Sequence, residues 1–412
     1  MNSAYQKIKF GDLYSIPSRN GLSRPESVRG SGYKMINMGE LFAYDRIGDI
    51  PMELVLMSPR EVNDMCVEEG DLLFARQSLV LSGAGKASII ERVQGKTTFE
   101  SHIIRVRLDK NKADSLFYYY YFKSPYSGMK SIVQQGVQAG IRGSDLQKLF
   151  VDYPDLPDQK NIASFVNLYD QLIDTNRRRI HLIEESARLL FREWFVYFKF
   201  PNHEKVKIAD RGGRNMPVEW EYLPFTKIGL FKKAPLGVPV FTDTRQYCQT
   251  SEIDGTSITG NGEEVDYESR PSRADIAPRI NTVYFAKMKD TDKVLYFNKG
   301  SSDLLEKILL STGMVGFATE EKYLGFLFGL LTSYEFVQYK NNFATGATQV
   351  SLNDASLKKI KVLLPTLNLV ELYSEIVNPL LEECSLLRSQ NQKLTYARDL
   401  LLPRLMSGEI EV

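Results

Sequence analysis

Cysteine and histidine are scarce in this 412-residue chain, at three of each. The cysteines Cys66, Cys248 and Cys384 stand far apart and match no metal-binding or redox spacing, which points to a reduced, cytoplasmic setting. The histidines fall in unrelated settings: His102 in an expected strand, His181 on an expected helix and His203 in a linker. None has a cysteine or carboxylate at ligand spacing, so no metal site is expected. Long apolar runs are also missing. No stretch of about 18 apolar residues occurs, and the opening "MNSAYQKIKFGDLYSIPS" has no apolar core suited to a signal peptide, so neither membrane spanning nor secretion is expected.

An excess of one charge is lacking too. The formal net charge of +1 excludes a globally basic coat for nucleic acid but leaves room for a locally basic face. Catalytic signatures are absent as well. "SGAGKAS" at 82–88 approaches a phosphate loop, but Val80 stands where the first glycine belongs and Ala87 where the hydroxyl belongs, so a hairpin turn is expected there. The carboxylates show no Asp…Glu-x-Lys arrangement of nucleases in a clear strand context. The Asn/Asp-Pro-Pro-aromatic tetrapeptide of amino-methyltransferases does not occur. The residues describe a non-catalytic chain.

What is present is a duplication. The length calls for two or three domains, and the chain repeats itself at a spacing of about 210 residues. "GDLLFARQ" from Gly70 is echoed by "NTVYFAKM" from Asn281, which sets Arg76 opposite Lys287. "SHIIRVRL" from Ser101 answers to "STGMVGFA" from Ser311, and "GVQAGI" from Gly136 to "GATQV" from Gly346. "SDLQKLFVDYP" from Ser144 answers to "ASLKKIKVLLP" from Ala355. Each closing proline, Pro154 or Pro365, is followed by a long helical segment. Within each half, short strands alternate with one or two short helices. "VEEGDLLFARQSLVLSGAGKASII" reads as a hairpin, "ADSLFYYYYFKS" and "EKYLGFLFGLLTS" as buried helices. The expected class is α+β, with two similar globules joined by two long antiparallel coiled-coil helices. The expected divisions are 1–155 (first globule), 156–199 (first helix), 200–366 (second globule) and 367–412 (second helix and tail).

The first helix carries an apolar stripe through Tyr169, Ile173, Ile180, Ile183, Ala187, Leu190 and Trp194, interrupted by Asn176. Alternating steps of three and four mark a coiled-coil seam, and a single Asn in such a seam fixes register. The second helix has Leu380, Leu387, Leu394 and Leu401 at heptad spacing, interrupted by Asn391. Pro379 is expected to kink it or bound its first turn, and Pro403 to end it. The two helices could pair with each other, running antiparallel, or could dimerise with another copy.

This order of globule, proline, long helix, repeated, resembles the specificity subunit of type I restriction–modification systems. "LPDQKNIASFVNLYDQLIDTNRRRIHLIEESARLLFREWFVYFKFP" is similar to the central conserved region of that family, and "YARDLLLPRLMSGEIEV" to its C-terminal signature. The resemblance spans the chain in organisation and is specific in residues only for the two helical regions. It implies two target recognition domains, each reading one half of a split site in double-stranded DNA, with the helices as spacer. It also implies two methyltransferase subunits and restriction subunits as partners. Those partners would use S-adenosylmethionine, ATP and Mg, leaving this chain without a cofactor. A coiled-coil scaffold that binds protein without DNA specificity is one alternative, and an enzyme with unrecognised active-site residues is another.

Loops dense in Arg, Gln, Asn and Ser are expected to carry the DNA readout, since Arg pairs with guanine and Asn or Gln with adenine in the major groove. In the first half these are Arg19, Asn20, Arg24, Arg29, Lys34, Arg76, Gln77, Gln135, Gln138 and Arg142. In the second they are Arg245, Gln246, Arg270, Arg273, Arg279, Lys287, Asn341 and Thr348.

Overall fold

The computed structural model describes residues 5–135, 138–211, 213, 215–346 and 350–412. It divides into two compact units: the described residues up to Leu172 together with Leu394–Val412, and Ile173–Lys393.

In the first unit the central sheet has five strands in the order Tyr14–Asn20, Ile103–Leu108, Leu72–Ala75, Ala87–Ile90, Arg46–Ile47. Leu72–Ala75 is wholly buried, as a short apolar run in mid-sheet should be. It pairs antiparallel with Ala87–Ile90 through Leu72↔Ile89 and Phe74↔Ala87, so the "SGAGKAS" region is the hairpin connection that the sequence suggests. The helix Ser115–Lys123 starts where the Asp114 carboxylate accepts the Phe117 N–H at 2.8 Å. All six aromatic residues from Phe117 to Phe122 are buried in the core.

The second unit repeats the plan. Its four-stranded sheet runs Phe231–Lys233, Met314–Thr319, Thr282–Ala286, Val294–Phe297, each strand in the place of one of the first four above. Beside each central sheet lies a three-stranded one containing a parallel pair, Lys34↔Thr97 in the first unit and Gln246↔Ile308 in the second. The helix Leu324–Thr332 takes the place of Ser115–Lys123. Its Gly329 allows close approach of the long helices: a Cβ there would lie 2.5 Å from the Phe191 ring and 2.9 Å from the Tyr373 hydroxyl.

The long helices are Leu156–Phe191, continued by a π turn at Arg192–Val196, and Leu367–Met406. Both compact units divide inside these helices. Ile162, Ala163 and Val166 share the first core with Leu402, Leu405 and Met406. In the second unit the Tyr373 hydroxyl donates to the Ala187 carbonyl at 2.7 Å and Arg179 meets Glu383 at 2.6 Å. In each unit, then, residues later in one helix meet residues earlier in the other, which is antiparallel pairing.

Two expectations for the second helix are corrected. It runs without interruption through Pro379 and past Pro403 to Met406. A proline removes one N–H, so the helix forgoes the bonds to the Glu375 and Asp399 carbonyls, but the buried residues on either side, Val377 and Leu381, then Leu402 and Leu405, hold it in place. The heptad through Leu380 and Leu401 is also displaced. Those two are half-buried at the edge, and the fully packed positions are Leu381 and Leu402. Leu381 and Leu402 keep the spacing of Leu380 and Leu401 but lie one residue further on, so the packed face is turned by about 100° from the heptad leucines.

Candidate nucleic-acid interface

A small backbone frame holds the cation at the end of each central strand. In the first unit the Arg76 N–H donates to the His102 carbonyl at 2.8 Å, and the Arg76 carbonyl accepts the Ile141 N–H at 2.9 Å. Gln77–Ser78 then pairs with Ala139–Gly140, and Gln134 and Gly140 exchange both backbone bonds at 2.8 and 3.0 Å. His102 thus lies in a turn just before its strand, not within it. In the second unit Lys287 donates to the Gly313 carbonyl at 2.9 Å and accepts from Leu352 at 2.8 Å. Met288 bridges to Ser351, and Thr345 and Ser351 exchange both bonds at 3.0 Å. The two frames are the same construction, made twice.

Around the first frame gather several residues singled out in the sequence. Asn20 ends its strand opposite Ile104, Gln77 follows Arg76, and exposed Arg142 stands at the N-cap of the helix Gly143–Lys148. Gly143 lies against the Ser18 side chain, 3.4 Å from where its Cβ would be. The Arg76 guanidinium donates to the Ser101 carbonyl at 3.3 Å. Around the second frame, the Arg273 guanidinium comes within 3.5 Å of the Cβ position of Gly313, whose carbonyl receives Lys287. Burial, then the Lys233 ammonium, pulls the Lys287 ammonium below the ordinary lysine value. Arg273 adds to that pull and Asp354 opposes it.

Three comparisons bear on this arrangement. Residues 2–185 match the family model described as "Type I restriction modification DNA specificity domain". Two curated relatives align at 22% identity. The MjaIX specificity subunit of Methanocaldococcus jannaschii does so over 86% of this chain and 82% of its own, and the HindI specificity subunit of Haemophilus influenzae over 69% and 74%. The first part of the chain is thus similar to that specificity domain, and both of these relatives are specificity subunits of type I restriction enzymes. In fold it is similar to the crystal structure of the S subunit from M. genitalium, with a TM-score of 0.54 over 98% of this chain and 96% of that one, at 14% identity.

The sequence-selected cations divide by partner. Four are bound to acceptors of their own globule. Arg24 donates to Glu61 at 2.6 Å and to the Leu56 carbonyl at 3.1 Å, Arg29 pairs with Glu53, and Lys34 with Asp49. Arg270 lies over the Tyr267 ring at 4.1 Å and reaches Asp275 at 3.8 Å. Arg19 is exposed and 3.6 Å from Asp64. Arg245 stacks 4.3 Å over the Phe241 ring. Among the described residues, Arg76, Arg142, Arg273, Arg279 and Lys287 form no ion pair with a carboxylate.

The amides also divide. Gln135, Gln138 and Gln246 are exposed, whereas Asn341 holds a loop by accepting the Asp290 N–H at 3.0 Å. Thr348 lies outside the described residues. Two frame residues escaped the sequence reading. Lys233 pairs with Asp354 at 2.6 Å beside Lys287. Asn353 occupies the place of Arg142, where it caps its helix by accepting the Ser356 N–H at 2.8 Å. The alignment of "SDLQKLFVDYP" with "ASLKKIKVLLP" already set Asn353 opposite Arg142.

In the helix seam the two polar interruptions meet: Asn176 Nδ2 donates to Asn391 Oδ1 at 2.9 Å and to Gln390 at 3.2 Å, and Asn391 Nδ2 donates to the Ile173 carbonyl at 3.3 Å. Ile173, Ile180 and Leu387 are buried beside them, while Ile183, Leu190 and Leu394 are half-buried. The three cysteines are buried and unpaired, and burial pushes the Cys248 thiol up to about 12.

Proposed function

We propose that this chain is the sequence-reading subunit of a type I restriction–modification complex, with one half-site of a bipartite DNA target read by each globule. The observation that carries the reading is the duplicated frame, which holds Arg76 and Lys287 in the same backbone setting, neither ion-paired to a carboxylate among the described residues. A cation held this way is available to a guanine edge or a phosphate, whereas one already paired must first give up its partner. Lys233 and Arg273 both act on Lys287 against the opposing Asp354, a setting that favours a further anion, and DNA phosphate supplies it.

In this reading the chain catalyses nothing and holds no cofactor. Two methyltransferase subunits and restriction subunits assemble on it and bring the chemistry of S-adenosylmethionine, ATP and Mg. The helices set the gap between half-sites, since half-site spacing mirrors the geometry of the protein that reads it.

Co-expression with the neighbouring methyltransferase, followed by base-resolution mapping of methylated adenine, tests the proposal. The expected result is a split motif whose methylation depends on this chain. A continuous motif, or methylation independent of this chain, refutes it and leaves the protein-binding scaffold.

A further inference from the structure

Each unit contains a triad of the same composition around a buried carboxylate: a tyrosine hydroxyl from the globule, the carboxylate on the first long helix and a partly buried guanidinium on the second. In the first unit Tyr120 donates to Asp170 Oδ2 at 2.7 Å, and Arg398 donates to Asp170 Oδ1. Asn167, one turn earlier on the helix, accepts from Arg46 at 2.6 Å and so ties a sheet strand to the same place. In the second unit Tyr296 donates to Glu184 Oε1 at 2.9 Å while accepting from Arg388 at 2.7 Å. Arg388 also donates to that Oε1, and Thr256 donates to Glu184 Oε2 at 2.6 Å. Asp170 is 9% exposed and Glu184 3%.

Two features separate these triads from ordinary packing. The first is energetic. A buried ion pair contributes little net stability over a well-packed apolar replacement, because desolvation offsets the attraction, but it tolerates only a narrow range of geometry. The second is genealogical. At a repeat spacing of 210, Asp170 and Glu184 correspond to Leu380 and Leu394 on the second helix, so the duplication does not relate the two carboxylates, while Arg398 corresponds to Arg188, which also pairs with Glu184 at 3.5 Å. Tyr120 comes from a helix and Tyr296 from a strand. The carboxylate and the tyrosine of each triad therefore stand at positions the duplication does not relate.

We propose that the two triads are orienting clamps: each fixes the rotation of its globule on the helix pair, and together they set the gap that the protein accepts between half-sites. Tyr120, Asp170, Arg398, Tyr296, Glu184 and Arg388 are then positioning residues, acting on DNA through the globules they hold. This inference rests on the bipartite reading above.

The test uses the full chain with its methyltransferase partner and a duplex library in which the two half-sites are separated by the natural gap or by gaps up to about two base pairs shorter or longer. Two double substitutions, Glu184→Met with Arg388→Met and Asp170→Leu with Arg398→Met, replace each charge pair by apolar volume. Thermal unfolding checks that the fold survives. Tyr120→Phe and Tyr296→Phe each remove one hydroxyl without unpairing a charge and give the same readout if a double variant fails to fold. The expected result is unchanged half-site sequences with the preference for the natural gap reduced about tenfold or more, while Glu184→Gln, which keeps its acceptor, retains most of that preference. Folded variants with the wild-type gap profile overturn the clamps, as does a loss of half-site sequence preference that accompanies the loss of gap preference. A wild-type protein that methylates a continuous motif overturns the bipartite reading itself, a result distinguishable from either.

Discussion

Arg76 and Arg24 illustrate why a residue type does not establish a role. Both are arginines in polar loops, yet the Arg76 guanidinium donates to a backbone carbonyl, whereas Arg24 is held by Glu61. Arg76→Ala is expected to weaken binding to one half-site, by about 1–3 kcal/mol if the guanidinium pairs with guanine, and Lys287→Ala to weaken the other. Anisotropy titrations on duplexes with one half-site scrambled, repeated across salt concentrations, separate a base contact from a phosphate contact; the latter lowers the salt slope by about one. Arg24 has a different signature. Its hydrogen bond, and then those from Ser58, hold the Glu61 carboxyl at about 2, below its ordinary 4.5. A depressed carboxyl stabilises the fold above its unfolded value and loses that contribution as pH falls through its folded one. Arg24→Gln should therefore reduce stability above pH 4.5 and flatten the acid loss between 4.5 and 2, measured by thermal unfolding against pH. Lys340 is a third case: buried, it donates to the Met288 carbonyl and to Thr291 just beyond Lys287. Lys340→Met leaves those acceptors unpaired, which costs about 1–3 kcal/mol, seen as a lowered denaturation midpoint.

At the scale of the element, the helix seam makes its own prediction. Leu381 is fully buried and Leu380 only half so. Leu381→Ala should cost about 2–5 kcal/mol and Leu380→Ala distinctly less, the reverse of what the heptad alone implies. The Asn176–Asn391 contact works against stability and for register. Replacing both by leucine is expected to raise the unfolding temperature while admitting alternative alignments or self-association, which size-exclusion chromatography with light scattering reads directly. A stable, monomeric double variant with an unchanged methylation gap would show that the asparagines do not set register.

For the whole molecule, the proposed spacer role concerns length. Four residues added near Arg179 in the first helix lengthen it by roughly 6 Å, close to two base pairs at about 3.4 Å each. Because Asn176 meets Asn391 and Arg179 meets Glu383, an insertion in one helix alone misaligns the pair and should abolish bipartite recognition. A matched insertion near Leu387 in the second helix should restore it, with the same half-sites at a longer gap. Mapping of methylated adenine compares the two directly. Recovery at the original gap would sink the spacer idea.

The duplicated plan, both long helices, the buried aromatic run and the two asparagines that interrupt the seam were legible in the sequence. Each is written by local periodicity or by repetition along the chain, which no distant partner can alter. Other features were settled by tertiary structure alone. Whether a cation is free depends on carboxylates far away in sequence, such as Glu61 for Arg24 and Glu53 for Arg29. Which of two adjacent leucines is packed depends on the distant residues the helix lies against, which bury Leu381 rather than Leu380. The carboxylate triads were hidden for the same reason. Asp170 and Glu184 look like surface charges of an amphipathic helix until Arg398, Arg388 and two tyrosines close over them. Periodicity is a property of neighbouring residues, but burial and charge pairing belong to residues the chain brings together only when it folds.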